Sequence, residues 1–490
     1  MLKQISAFLR QKDRAVKLAA IRLISIAVIL ASIMFSTAPL KTASAAGPFT
    51  VNTISDTHDS NTADSSCSDG TNCSLRAALE QANASGGSTT INLPAGEYKL
   101  SLGDLIAGTK TNTNITLHGA GSGATTIHQT QAGRMVIVVN INLAANVTFT
   151  LDHVTVSGGS ENENDSNGFG GNGGAIQAGG SATAAGNSLN ITDVVFSGNY
   201  CSPATNAGCT GGAINMTGGG DLTVVNSTFS GNEAAKNAGT GSGGAIYFDN
   251  DGNPGNVSIT NSTFTNNIAH NSGGQGGAVR LAGGTGTSYI INNNTFTGNS
   301  ATQNGGALYL SAGSLTASFN RIVGNISTSG SGLSVENISG SIGTATNNWW
   351  GCNGGPGATG CDTAVLESGS GGSLAFNPWI VLKIATNPNP IHVIQSTTLT
   401  VDFLHNSAST TLTAAQISRL IGLPVTWGSA VRGTLSSAQT TIQANGKATA
   451  RFTATALGAG SAVAKVDNGA VAASITINKR YSYLPFIRNK

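Results

Sequence analysis

Charged side chains are scarce, at 9% of 490 residues, and aromatics reach only 5%. A layered globular enzyme normally carries about 25% charged residues, so the shortage argues against that class. Disorder is excluded on other grounds. Disordered chains pair high charge with few β-branched residues, whereas 39% of this chain is hydrophobic. Also missing are a Ser/His/Asp motif, a phosphate-binding loop and a dinucleotide fingerprint. What abounds is glycine, with 66 copies, and Asn, Thr and Ser crowd the middle of the chain. Such a chain predicts many short strands joined by tight corners.

The first residues read as an export signal. Lys3, Arg10, Lys12, Arg14, Lys17 and Arg22 precede an uncharged apolar run, Leu23–Phe35, and Ala43-Ser44-Ala45 offers small residues for cleavage. A retained anchor is the alternative, but the run is shorter than the ~20 residues that a span requires. A signal peptide over 1–46 is therefore expected. No second apolar segment follows, so the mature chain should have no transmembrane span and be secreted or held at the cell surface. Residues 47–381 carry seven basic and 19 acidic side chains, and 382–490 carry ten and two. An acidic body lacks the clustered cations that nucleic-acid binding needs, which excludes nucleic acid as a partner.

The six cysteines fall as three local pairs: Cys67 with Cys73, Cys201 with Cys209, and Cys352 with Cys361. Each pair closes a short Gly- or Asp-containing loop, which favours disulfides in an exported chain. Metal binding is the competing reading, yet no pair has C-x-x-C spacing or an adjacent His.

Two motifs alternate through the middle. Gly-Gly-Ala plus an aliphatic residue occurs at Gly173–Ile176, Gly211–Ile214, Gly243–Ile246, Gly276–Val279 and Gly305–Leu308. Phe-x-x-Asn occurs at Phe196 and Asn199, Phe229 and Asn232, Phe264 and Asn267, and Phe296 and Asn299, with a degenerate copy at Ile322 and Asn325. Seven and five residues before each Phe lie apolar pairs: Leu189 and Ile191, Leu222 and Val224, Val257 and Ile259, Tyr289 and Ile291. Val147, Phe149, Leu151 and Val154 fit an earlier coil. This is period-two alternation, the mark of a strand with one buried face. A polar residue three before each Phe (Asp193, Asn226, Asn261 or Asn293) predicts a corner. No unit could bury its apolar face alone, so the units must stack in parallel. Gly pairs suit the corners, and stacked Asn side chains can form a hydrogen-bonded ladder.

The paired motifs resemble the repeats of polymorphic outer-membrane proteins. The stretch Cys73-Ser-Leu-Arg-Ala-Ala-Leu-Glu-Gln-Ala-Asn83 resembles the N-terminal domain named for its C-S-L-R-E-A motif, with Ala77 standing where that name has Glu. Ile91–Tyr98 and Ile115–Gly121 continue the resemblance. It implies a bacterial exported, single-stranded right-handed parallel β-helix of the pectin-lyase-like kind, over roughly 47–381. The residues agree: Ser74 can cap a helix to about Asn83 that buries Leu75, Ala78, Leu79 and Ala82 on one face. Such a helix would cover the open end of the stack. At the other end Trp349, Trp350 and Trp379 break the period and predict a terminal cap. A sugar-stacking platform is the alternative.

Residues 385–478 change to Thr-Val-Ala alternation. Strands are expected at Thr397–Phe403, Val425–Trp427, Thr440–Ile442, Ala448–Ala454, Ser461–Val466 and Ala472–Ile477, with turns at Asn445-Gly446 and Asp467-Asn468-Gly469. These predict a small sandwich resembling bacterial Ig-like domains. The expected all-β chain thus divides into the signal (1–46), a cap with first coils (47–130), the repeat body (131–381), a linker (382–390), the sandwich (391–478) and a tail (479–490).

Chemistry is thinly supplied. β-Helix lyases and hydrolases need paired carboxylates, or a base beside calcium, and no motif of that kind is visible. Asp249, Asp251 and Asn253 offer oxygen ligands around Gly252, as calcium loops do. Glu161, Glu163 and Asp165 form a second acidic spot. Arg280 could stand beside Asp249 or Asp251 of the preceding unit. The expectation is a non-catalytic adhesive or structural scaffold without a cofactor other than calcium. Its partner would be an extracellular polysaccharide or other cell-surface component. The alternative is a polysaccharide lyase or glycoside hydrolase on the same body.

Overall fold

A computed structural model describes residues 47–480 apart from 140–143, 163–171, 180–185, 204–207, 238, 254 and 285. The expected signal, Glu163, Asp165 and residues 481–490 of the tail lie outside the described residues. The alternation before each Phe builds the first of three strands per coil, as in Ser188–Thr192, Asp221–Val225, Val257–Thr260 and Ser288–Asn292. A corner follows, at Asp193, Asn226, Asn261 and Asn293, each with φ between 51° and 54°. Short polar side chains tolerate this left-handed backbone, which explains the residue type. The Phe strands make the second face, as in Val195–Ser197 and Thr228–Ser230, and the aliphatic residues after Gly-Gly-Ala begin the third, as in Ile214–Thr217 and Ile246–Asp249. Equivalent strands pair in parallel, coil on coil, to make a right-handed β-helix.

Register puts like on like. Phe196 pairs with Phe229, Phe229 with Phe264, and Phe264 with Phe296. Their rings stack at 4.8, 4.8 and 4.9 Å, with interplanar angles of 14°, 3° and 12°. Ile322 continues the column below. Three residues on, the Asn side chains form the expected ladder. Nδ2 of Asn199, Asn232, Asn267 and Asn299 donates to Oδ1 of the next Asn at 3.1, 3.0, 2.9 and 2.9 Å. Each Nδ2 also donates upward to a carbonyl, such as Asn267 to Phe229 O at 3.0 Å. The ladder ends at Asp362, whose Oδ2 takes Asn325 Nδ2 at 2.7 Å while Oδ1 takes the Gly324 N–H. A carboxylate suits this end because it only accepts.

The glycine pairs have two separate causes. Gly211, Gly243, Gly276 and Gly305 have φ of 64–70°. Their partners Gly212, Gly244 and Gly277 do not, but a Cβ there would collide with the backbone carbonyl of the next coil's glycine. The column continues to Gly330-Ser-Gly-Leu333, where Leu333 pairs with Leu308.

Both ends are closed. Helix Leu75–Ser85 is capped by Ser74, whose side chain accepts from Ala77 N, and it buries Leu75, Ala78, Leu79 and Ala82. Arg76 binds Asp56 at 2.7 Å with both side chains under 10% exposed, and it donates to the carbonyls of Gly103 and Asp104. Burial opposes ionisation of Asp56, but Arg76 and the N–H groups of Ser101 and Leu102 hold its carboxyl below the ordinary value. At the far end Trp349 and Trp350 are fully buried. Trp350 enters the coil core and Trp349 enters the core of the following module. Capping therefore prevails over a sugar platform at these two positions.

All three cysteine pairs are joined as disulfides, Cys67 to Cys73, Cys201 to Cys209 and Cys352 to Cys361. They close separations of 6, 8 and 9 residues, and no cysteine is free among the described residues. Their surroundings differ. Cys201 and Cys209 are fully buried beside Ala234 and Ala235 in a small apolar cluster outside the main core, and Cys209 Sγ accepts from Ala235 N at 3.0 Å. Cys67 and Cys361 are partly buried against the core of the coils. Cys361 stands directly before Asp362, so its bridge to Cys352 fastens the loop that carries the end of the Asn ladder.

The module after the coils is two four-stranded sheets facing each other. One is ordered Ile380–Asn387, Ser396–Asn406, Lys447–Ala454, Gly433–Ser436; the other is Ile391–His392, Gly469–Asn478, Gly458–Val466, Thr426–Val431. The expected linker at 382–390 is corrected: most of it is strand Ile380–Asn387, paired antiparallel with Ser396–Asn406. Its alternate residues Ile380 and Leu382 are buried, so Pro388 and Pro390 follow the strand instead of marking an entry. Thr440–Ile442 forms only a bridge, Pro424 with Thr441, and Gly433–Ser436 supplies the strand that the alternation did not reveal.

Two outcomes test the columns. Asn267→Ala removes the acceptor of the Asn232 N–H and Nδ2 and the side-chain donor to Phe229 O, while Asn299 Oδ1 keeps the backbone N–H of residue 267, at about 1–3 kcal/mol per buried unmet group. Phe264→Ala should cost about 3–5 kcal/mol, and chemical denaturation should show both as lowered midpoints. Burial pushes Asp362 above its ordinary 3.8, with its N–H donors opposing. A carboxyl raised in the fold favours folding most below 3.8 and loses that contribution as pH rises through the folded value. The stability of the wild type relative to Asp362→Asn should thus improve as pH falls from neutrality toward 3.8.

Candidate functional site

The residue after each Gly-Gly-Ala-aliphatic run points outward on the third face. Register lines these residues up as Gln177, Asn215, Tyr247, Arg280, Tyr309 and Ser334. The strand just before each Gly pair runs beside this row, through Thr210, Ser242, Gln275, Asn304 and Ser329. The row is consequently sheltered although it faces out: Tyr247 and Tyr309 are 9% and 3% exposed. Arg280 lies between them, with its guanidinium 5.3 Å from the Tyr247 ring centre and 5.7 Å from that of Tyr309. It donates to Ser242 Oγ at 2.9 Å.

Three carboxylates border the row. Asp249 accepts the Tyr247 hydroxyl at 3.0 Å. Glu336 accepts from Tyr309 at 3.1 Å and from Ser311 at 2.7 Å. Glu367 accepts from Ser329 at 2.9 Å and from Ser334. Burial pushes the Tyr247 and Tyr309 hydroxyls far above their ordinary value, and the adjacent carboxylates add to this while Arg280 opposes it. Both tyrosines are held as donors and neither can serve as a phenolate base near neutrality.

The expected pairing of Arg280 with Asp249 or Asp251 is corrected. Among the described residues it forms no ion pair with either. Its register partner is Tyr247, two residues before Asp249, and the flat guanidinium lies on that ring instead. At the expected calcium loop, Asp249 Oδ1 accepts from Asp251 N and Asn253 Nδ2 donates to Asn250 O. Both Asp249 oxygens are thus engaged, one by Tyr247 and one by the turn, which leaves Asp251 as its exposed acid. Ca²⁺ takes 6–8 oxygens, and this is a weak donor set for it. Burial and neighbouring Asp249 push the Asp251 carboxyl up. Glu161 is buried.

The cysteines belong to the frame and not to a site. With Cys67, Cys73, Cys201, Cys209, Cys352 and Cys361 all in disulfides, none has a thiolate to offer a metal or a substrate, and the competing metal reading falls. A cleft of about 640 Å³ lies between the cap helix and the first coils. Its charges are mutually engaged: Arg76 on Asp56, His58 on Glu80 at 2.5 Å, and Arg134 near Asp104 at 3.8 Å. No helix of the described residues is long and apolar enough to cross a membrane.

The chain resembles one known repeat. Residues 226–249 and 295–311 match the Chlamydia polymorphic membrane protein (Chlamydia_PMP) repeat. The matched segments hold Phe229, Asn232, Tyr247, Phe296, Asn299 and Tyr309, members of the ring column, the Asn ladder and the third-face row. No curated protein matches the chain significantly. Among solved structures it is similar to one described as "Crystal structure of the S-layer protein SbsC domains 4 and 5", at 18% identity and a TM-score of 0.15. That match covers 21% of this chain and 55% of the other, so the chain spans about half of that structure.

Tyr247, Tyr309, Glu336 and Glu367 went unnoticed in the sequence. A signal existed, since the position after Gly-Gly-Ala-aliphatic reads Gln, Asn, Tyr, Arg, Tyr in order. Arg280→Ala removes two ring contacts worth about 0.5–1 kcal/mol each and the bond to Ser242. It should lower stability by about 1–2 kcal/mol in a denaturation titration, and Arg280→Lys, which cannot stack as a plane, should recover little of it.

Proposed function

We propose that this protein is a secreted or cell-surface β-helix scaffold, adhesive or structural and non-catalytic, whose partner is an extracellular polysaccharide or other cell-surface component. One observation carries the reading. The third-face row and its border hold an arginine, two tyrosines and three carboxylates, yet each of these side chains is engaged by a neighbour through at least one polar atom. A general base must reach the proton it removes, and the rings that could stack on a sugar are covered by Arg280. Three disulfides suit an exported chain, and the matched repeat carries a membrane protein's name. The stacked body acts as a rigid rod, and the two-sheet module, Ig-like in its make-up, serves as a spacer or attachment.

A panel of neutral and acidic polysaccharides, incubated with the full chain with and without calcium, tests this. We expect no unsaturated or reducing-end products, and retention of the protein on at least one polymer or on whole cells. Clear turnover would replace this reading with a lyase or hydrolase. Failure to bind any polymer or cell surface would remove the adhesive role.

A further inference from the structure

The first face carries a group of side chains that stacking does not explain. One outward column on it reads Asn92, His118, Asp152, Thr192, Val225, Thr260 and Asn292 by register. Only His118 and Asp152 in that column titrate. The corner that follows is held by Asp193, Asn226, Asn261 and Asn293 in later coils, but by His153 in this one, with φ of 56°. Imidazole tolerates this left-handed backbone as Asn and Asp do, but it brings a ring and two nitrogens that the sibling corners lack.

These departures meet at one point. His118 Nδ1 lies 2.6 Å from Asp152 Oδ1, and His153 Nδ1 lies 3.4 Å from that same oxygen. One nitrogen of each ring and a carboxylate oxygen all fall within 4.8 Å of one another. The rings stand 5.2 Å apart, inclined at 63°. His153 Nδ1 is buried and makes no hydrogen bond. On the other side of the same ring, Nε2 lies 3.8 Å from Asp193 Oδ2 of the next coil. Asp193 in turn accepts from Ser122 Oγ at 3.4 Å.

We propose that His118, Asp152 and His153 bind a divalent transition-metal ion of the Zn²⁺ class, with Asp193 as a positioning residue. Two imidazoles and a carboxylate are the ligands that Zn²⁺ accepts. Metal-bound histidines usually give their second N–H to a carboxylate, which fixes tautomer and ring direction. Asp193 lies 3.8 Å from His153 Nε2, on the side of the ring where that carboxylate belongs, and a small closing movement would bring it to Nε2–H and leave Nδ1 to the metal. Imidazole selects against Ca²⁺, which prefers oxygen. His118 and His153 keep 48% and 43% of their side-chain surface exposed, which leaves coordination positions open toward solvent. The ion would clip successive coils together close to the N-terminal cap, and its open side could take a ligand atom from a partner.

The test uses the full chain, stripped with chelator, and Zn²⁺ alone as probe. Calorimetry or competition with a chromogenic chelator should show one saturable site that Ca²⁺ does not fill. Co²⁺ should give the visible absorption of a low-symmetry nitrogen–oxygen site. His153→Asn is the informative variant, because Asn already holds this corner in sibling coils and the fold should persist. It should abolish binding, as should His118→Asn. Asp193→Asn should weaken binding roughly 10–100-fold while leaving a measurable site. Absence of saturable Zn²⁺ binding, or binding unchanged in both His118→Asn and His153→Asn, would overturn the assignment and leave an ordinary His–Asp contact. Neither result bears on whether the protein adheres to polysaccharide.

Discussion

Parallel stacking in register sets every side chain about 4.8 Å from its equivalent one coil away. A column must therefore be compatible with itself. Phenyl rings stack on phenyl rings and amides donate to amides, so Phe196 to Phe296 and Asn199 to Asn325 can repeat without limit. A charge cannot, because like charges facing across neighbouring strands repel. The low charge content of the chain follows from this constraint. It is a property of stacking first, and bears on catalysis only in what it leaves out.

Columns also have to end, and the ends use residues that the middle cannot. Asp362 closes the Asn ladder because two acceptor oxygens meet the last two N–H groups and Asn325 Nδ2. A second column begins with Ser227 and Ser262 and continues through Asn294, Asn320 and Asn348. It ends when Asn348 Nδ2 turns to the carbonyls of Ala317 and Ala345. Beyond it, Trp349 and Trp350 point into different cores. The seam is fixed by Asp467, which takes Trp349 Nε1 at 2.7 Å and pairs with Arg321 at 2.5 Å. A hairpin turn of the sandwich thus docks on the end of the coil stack, with Asn468 N bonded to Gly351 O.

Legibility followed the same logic. The Phe and Asn positions, the polar corner and the capping helix could be counted along the chain, because each recurs or carries a local signal. The disulfides were legible for the same reason, since Cys201 with Cys209 and Cys352 with Cys361 are near neighbours in sequence. Gly330–Leu333 was harder, since Ser331 and Gly332 disguise the motif while the backbone repeats it. The boundary at 382–390 misled because two Asn-Pro steps look like a linker, while the preceding alternation of Ile380, Leu382 and Ile384 is a strand. Contacts between coils were mostly out of reach. His118 and Asp152 are 34 residues apart and Arg280 and Ser242 are 38, and insertions change that spacing from coil to coil. Register supplies the alignment that spacing withholds.

An outward column has no ring or ladder to maintain, so its residues can vary at little cost to the stack. This makes departure from the column's own habit more informative than conformity to it. Gly-Gly-Ala is uniform because φ and the next carbonyl dictate it. The position after its aliphatic residue changes from Gln to Asn to Tyr to Arg, yet there the change is absorbed by contacts among rings, hydroxyls and carboxylates, although Arg280 Nε stays buried without a hydrogen bond. On the first face, His118, Asp152 and His153 replace neutral or corner-forming residues, and the result is a buried ring nitrogen without a hydrogen bond. The first departure resolves into contacts among its own members. The second brings two imidazoles and a carboxylate within 4.8 Å of one another, a ligand set that stacking does not use. In a scaffold whose inner columns are fixed by packing, such a cluster is where recognition chemistry should be sought.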